Sequence, residues 1–202
     1  MEKLIIVIIT IQCIVIIIMV GKLELIIGPM FSGKSTEIIR RIRLLQVIKK
    51  KIIVIKPEID NRYLENKITS HNFESADCIV LPTLNDLKID ISKYDTIIID
   101  EAQFFNDLKT VVIYWLENYN IDIVITGLDG DFEKNPIGQI LELIPHAEKC
   151  KKINSLCNMC NDGTEGCFSY RKVESKNKIL VGGVESYIPV CRKHYDELNK
   201  NK

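Results

Sequence analysis

An α/β domain built on a mostly parallel sheet with flanking helices, followed by a small metal-stapled lobe, is the fold this sequence predicts. Two observations carry the first part. Short apolar runs, Leu23–Ile27, Lys51–Lys56, Thr96–Ile99 and Ile121–Thr126, are the length of buried strands, and segments of helical periodicity separate them. A third observation carries the lobe. From about Cys150 the periodicity fades, and glycine, cysteine and charge punctuate short segments.

The first strand runs into Gly28-Pro29-Met30-Phe31-Ser32-Gly33-Lys34-Ser35, which reads G-x-x-x-x-G-K-S, a P-loop as in nucleotide-hydrolysing enzymes. Chemistry fixes that spacing. Backbone N–H groups must wrap phosphate oxygens, Lys34 must reach the terminal phosphates, and the Ser35 hydroxyl must meet Mg²⁺. A helix follows, with Ile38, Ile42, Leu45 and Val47/Ile48 expected on its apolar face, so its positive end points at the phosphates.

A polar stretch, residues 57–72, holds Asp60-Asn61-Arg62-Tyr63, and Ile79–Leu81 is a further short strand. Arg62 suits a phosphate, although its spacing serves a solvated loop arginine equally well. Thr96–Ile99 ends in Asp100-Glu101. An acid at such a strand end holds the Mg²⁺ that the P-loop serine also meets, which assigns Asp100 to the metal and leaves Glu101 as general base. Phe104–Tyr119 is expected as a helix, and Ile121–Thr126 as the strand closed by Gly127. Phe104, Phe105, Phe132 and Tyr187 offer walls for a base pocket, or core.

Seven cysteines, an odd number, with two at C-x-x-C spacing, fit reduced thiols and a metal better than disulfides, and so favour the cytoplasm. Cys157-x-x-Cys160 and Cys191-x-x-His194 supply four N/S ligands in two pairs, the pattern of a closed structural Zn²⁺ site. Cys150 and Cys167 read as non-ligating. The expected division is a leader at 1–20, a nucleotide-binding domain at 21–149 and a zinc lobe at 150–202.

The leader, Leu4–Val20, is apolar except for Thr10 and Gln12, and its 17 residues stand at the lower limit for a membrane span. Initiation at Met19 ranks first among its readings, a membrane anchor second and a buried extra element third. Lysine plus arginine equal aspartate plus glutamate at 27 each, so no basic surplus marks nucleic acid as a partner. That neutrality, and the short chain, argue against a nucleic-acid motor, which Asp100-Glu101-Ala102-Gln103 superficially resembles. A membrane-tethered nucleotide-binding module is the other rival.

Taken in order, the P-loop, Asp100-Glu101-Ala102-Gln103-Phe104-Phe105, Leu128-Asp129-Gly130-Asp131-Phe132 and the C-x-x-C…C-x-x-H set resemble the zinc-containing thymidine kinases of cytosol, bacteria and large DNA viruses, over residues 21–195. The resemblance implies transfer of the γ-phosphate of ATP to the 5′-hydroxyl of thymidine. It implies that Gly28–Ser35, Asp60, Asn61, Arg62 and Gln103 serve the nucleotide, that Ser35 and Asp100 hold Mg²⁺, and that Glu101 takes the proton. Met30, Phe104, Leu128, Phe132, Ser169 and Tyr187 would enclose the nucleoside. Lys178, Ile179, Leu180, Val181 and Gly182 would form a lasso loop over the base. A homodimer or homotetramer and feedback inhibition by dTTP are implied too. Two positions depart from the family pattern: Ile137 where an aromatic is usual, and Ser169 where threonine is common.

Overall fold

The structure, a computed structural model, describes residues 6–7, 16–17, 21–60, 66–69, 74–174 and 180–200. The possible start at Met19 lies outside these residues, and of the leader only Ile6–Val7 and Ile16–Ile17 are described, paired antiparallel. No helix among the described residues is long and apolar enough to cross a membrane.

Six parallel strands form the central sheet: β1 (Leu23–Ile27), β2 (Ile52–Pro57), β3 (Ile79–Leu81), β4 (Thr96–Ile99), β5 (Asp122–Gly127) and β6 (Lys149–Lys152). Their order across the sheet is β6-β1-β5-β4-β2-β3. The alternation of side chains along a strand divides each run between two cores. Leu23, Leu25 and Ile27 of β1, Ile53 and Ile55 of β2, Ile97 and Ile99 of β4, and Ile123 and Ile125 of β5 share one face. Phe105, Leu108, Val112 and Trp115 cover it, the last three from α2 (Leu108–Asn118). Ile26, Val54, Ile98 and Val124 point the other way, onto Ile38, Ile39 and Ile42 of α1 (Lys34–Val47). Each such isoleucine contributes about 1.5–3 kcal/mol by leaving water.

Two expectations need correction. Val47 and Ile48 do not join the buried face of α1 and are 79% and 64% exposed. Val47 lies nine residues beyond Ile38, about 180° round a helix, while Ile48 is the C-cap of α1 and Lys49 turns left-handed (φ 58°) to end it. The helix expected from Phe104 begins at Leu108, because residues 102–104 form a separate 3₁₀ turn. Of the two readings open for Phe105, the core is the one found: it is fully buried against the sheet.

β6 pairs with β1, and the expected division between residues 149 and 150 falls inside this edge strand. Beyond it, β7 (Phe168–Arg171) and β8 (Tyr187–Val190) pair antiparallel, and α3 (Arg192–Lys200) packs on them. Their core is small: Cys157, Tyr170, Val190 and Tyr195, with Phe168 and Ile188 at its margin. So little apolar surface calls for a staple.

Candidate active site

The carboxyl ends of β1, β4 and β5 open onto one pocket, where ligands bind in open parallel sheets. The loop after β1 turns there because two glycines permit it. A Cβ on Gly28 would stand 2.1 Å from the Ile153 carbonyl oxygen, and Gly33 takes φ 84° immediately before α1. Gly28 and Pro29 shape the loop and do not line the pocket. Their carbonyls accept hydrogen bonds from Lys34 Nζ at 3.1 and 2.7 Å. Met30, Phe31, Ser32, Gly33, Lys34 and Ser35 do line it.

Opposite the loop, β4 delivers two acids. Asp100 is buried, and its oxygens accept from Ser35 Oγ at 3.2 Å and from Thr126 Oγ1 at 2.5 Å. Burial, and next the charge of Glu101, push the Asp100 carboxyl up from 3.8 to about 6. A carboxylate held in this way, beside a serine hydroxyl at a P-loop, is a donor set that fits Mg²⁺. The residues for the triphosphate fit as well: the α1 N-terminus, capped by a glycine with no side chain, faces the pocket together with Lys34.

Glu101 follows in the left-handed region, φ 49° and ψ 39°. A non-glycine residue held there costs about 1–3 kcal/mol and persists only where its surroundings fix it. Gln103 is part of that fixation. Its Nε2 donates to Glu101 Oε2 at 2.7 Å, and its Oε1 accepts from the Leu128 N–H at 3.1 Å. One amide therefore joins the acid to the pocket's far wall. Asp60 completes a buried acidic group with Asp100 and Glu101.

The remaining wall is apolar and aromatic: Met30, Phe104, Leu128, Phe132, Ile137 and Tyr187. Ser169, on β7, lines it too and accepts the Met30 N–H at 2.9 Å, which ties the small lobe to the P-loop. Leu180, Val181 and Gly182 border the opening, and the Tyr187 hydroxyl donates to the Leu180 carbonyl at 2.9 Å. Asn61, Arg62, Lys178 and Ile179 lie outside the described residues. Every other residue expected to serve nucleotide or nucleoside reaches this pocket or, as with Gly28 and Pro29, shapes it.

Sequence reasoning missed Arg171. It is 3% exposed, lines the pocket, stacks its guanidinium 3.7 Å from the Phe132 ring centre and donates from Nη2 to the Tyr187 hydroxyl at 3.1 Å. Strand alternation was the available signal, because Arg171 stands two residues beyond Ser169 on β7 and so shares its face.

Away from the pocket, Cys157, Cys160, Cys191 and His194 gather their ligand atoms within 4.8 Å of one another. The Cys160 and Cys191 sulfurs lie 3.8 Å apart, and His194 Nδ1 lies 3.3–3.4 Å from all three thiols. A zinc tetrahedron has edges of about 3.8 Å between sulfurs and about 3.5 Å between sulfur and nitrogen. The cluster has that size and fits Zn²⁺, and it includes neither Cys150 nor Cys167. The Cys191 N–H donates to Cys157 Sγ at 3.2 Å, the kind of second-layer bond that orients a thiolate ligand.

Comparison with known proteins agrees with this geometry. The family model described as thymidine kinase matches residues 21–195. Thymidine kinase of Choristoneura fumiferana entomopoxvirus is 40% identical over 190 residues, covering 88% of this chain and 98% of the viral one. Thymidine kinase of Bacteroides thetaiotaomicron is 36% identical over 175 residues, covering 87% of each. That of Metamycoplasma arthritidis is 36% identical over 184 residues, 90% of this chain and 94% of its own. Since the family model takes in the P-loop, both acids and all four zinc-fitting ligands, the chain belongs to the thymidine kinase family.

Proposed function

We propose that the pocket transfers the γ-phosphate of ATP to the 5′-hydroxyl of thymidine, with Glu101 as the general base. The observation that carries this is the meeting of three parts in one cavity: a P-loop with Lys34, the Ser35–Asp100 pair, and Glu101 beside an aromatic wall.

The P-loop N–H groups and Lys34 hold the triphosphate, and the apolar wall places the nucleoside with its 5′-oxygen toward Glu101. The 5′-oxygen forms a bond to the γ-phosphorus as the bond to the β,γ-bridging oxygen breaks. That oxygen keeps the electron pair and leaves with ADP. The hydroxyl proton passes to the Glu101 carboxylate, and the products are dTMP and ADP. Ser35 and Asp100 would hold Mg²⁺, which when bound offsets charge on the phosphates. Little covalent work falls to the protein, so orientation and electrostatics dominate.

Asn61 and Arg62 act at the nucleotide in this reading, and Lys178 through Gly182 close over the base. Zn²⁺ on Cys157, Cys160, Cys191 and His194 orders the lobe that carries Ser169, Arg171 and Tyr187. A homodimer or homotetramer in the cytoplasm is part of the reading, and zero net charge supports the absence of a nucleic-acid partner. The test is a panel of nucleosides incubated with labelled ATP and Mg²⁺. Thymidine should be phosphorylated well ahead of the ribonucleosides and purines, and label in none of them would overturn the reading.

A further inference from the structure

Phe132 is held from two directions, and both holds come from the small lobe. The Arg171 guanidinium of β7 lies 3.7 Å over its ring centre. The Tyr195 hydroxyl of α3 donates to its carbonyl oxygen at 2.7 Å. Nothing else in the mechanism requires either residue.

The two holds differ in kind. A guanidinium stacked on an aromatic face fixes the tilt of the ring, since the attraction depends on the cation staying over the π cloud. A hydroxyl on the carbonyl fixes the backbone from which the ring projects. Arg171 is itself held, because it donates to the Tyr187 hydroxyl, which in turn donates to the Leu180 carbonyl. Tyr195 is the neighbour of the zinc-fitting His194 and packs against Phe168 and Tyr170, with ring centres 5.5 and 6.4 Å away. The segment carrying Phe132 closes its own turn, with the Asp131 carboxylate accepting from the Glu133 and Asn135 N–H groups, and these two holds tie that turn to the elements that carry the Cys₃His cluster.

We propose that Arg171 and Tyr195 are positioning residues that set affinity for the nucleoside by clamping Phe132, ring and backbone, from the zinc lobe. This rests on the reading that Phe132 walls the nucleoside site. The contacts described for Arg171 and Tyr195 run to Phe132, Tyr187 and the lobe core, so their loss falls on the KM for thymidine more than on the KM for ATP. Loss of one stacked cation or one hydrogen bond corresponds to roughly 3- to 10-fold in affinity.

Steady-state kinetics of Phe132→Ala, Arg171→Met, Arg171→Lys, Tyr195→Phe and the Phe132→Ala/Arg171→Met double variant test it, with zinc content measured for each. Arg171→Met and Tyr195→Phe should each raise thymidine KM about 3- to 10-fold, with kcat within about threefold of the parent and zinc retained. Arg171→Lys, which keeps a cation, should recover part of the loss. On the Phe132→Ala background, Arg171→Met should add little, since its target is gone. An undiminished effect there would mean that Arg171 acts on the nucleoside directly, and equal losses in thymidine and ATP affinity would mean general unfolding; either result overturns the clamp. If Phe132→Ala leaves thymidine KM unchanged, the reading of Phe132 as a nucleoside wall fails first, and the clamp fails with it. If Phe132→Ala raises KM and the other two variants do not, only the clamp fails.

Discussion

Gln103 donates a hydrogen bond from Nε2 to Oε2 of Glu101 across 2.7 Å, and both side chains are buried. The same amide accepts the N–H of Leu128, so the acid assigned to catalysis and the wall assigned to the nucleoside are held by one group. Glu101 sits at φ 49°, where its own backbone preference would not keep it.

Gln103→Leu tests that arrangement. It keeps the bulk and removes both hydrogen bonds, taking one donor from a buried carboxylate, a loss of about 1–3 kcal/mol. The expected result is a kcat lowered roughly 10- to 100-fold, with a smaller rise in thymidine KM through Leu128. Steady-state kinetics with each substrate varied in turn checks it. Parent-like kcat would show that Glu101 holds its place without Gln103.

Asp100 should cost stability in the free protein. Its carboxyl is pushed up to about 6 by burial and then by Glu101, from an ordinary 3.8. Between those values the native state binds the proton more readily than the unfolded chain does. Stability therefore falls as pH rises through that window, and at neutral pH the penalty is complete. Asp100→Asn should melt higher than the parent at pH 7 in buffer free of Mg²⁺ and nucleotide, by about 2–4 °C for each kcal/mol recovered, while losing activity. The difference should shrink as pH is lowered toward 4. A variant that melts lower at pH 7 would mean that the hydrogen bonds from Ser35 and Thr126 outweigh the desolvation.

The zinc-fitting cluster makes a separate prediction. Among the described residues the lobe core has four buried members, and Tyr195 and Ser169 tie that lobe to Phe132 and Met30. Cys157→Ser, or exhaustive chelation, should unfold the lobe and raise thymidine KM by about tenfold or more, with ATP binding at the P-loop less affected. Zinc content by atomic absorption, together with binding of each substrate by calorimetry, provides the check. Full thymidine affinity in zinc-free protein would separate the lobe from the nucleoside site.

How far the sequence reached depends on the range of the interaction being read. The central strands were legible because Leu23–Ile27, Thr96–Ile99 and Ile121–Thr126 are continuous apolar runs, and the P-loop because its glycines keep a fixed spacing. β6 was not legible: Lys149–Lys152 is an exposed edge strand reading KCKK, with no apolar signal to read. Val47 and Ile48 misled because apolar residues near a helix end need not face the core. In the site, the P-loop, Asp100 and the Cys/His pairs were found from local spacing. Thr126 on Asp100 and Tyr195 on Phe132 were not, since those partners lie 26 and 63 residues apart and only the fold brings them together.

Glu101→Gln is the most direct test of the central claim. The amide keeps the shape and a hydrogen-bonding oxygen but cannot take a proton at neutral pH. With ATP, Mg²⁺ and thymidine saturating, kcat should fall by about 10²- to 10⁴-fold, while ATP and thymidine still bind within a few-fold of the parent affinity. Turnover within about threefold of the parent would contradict the account and remove Glu101 as the base.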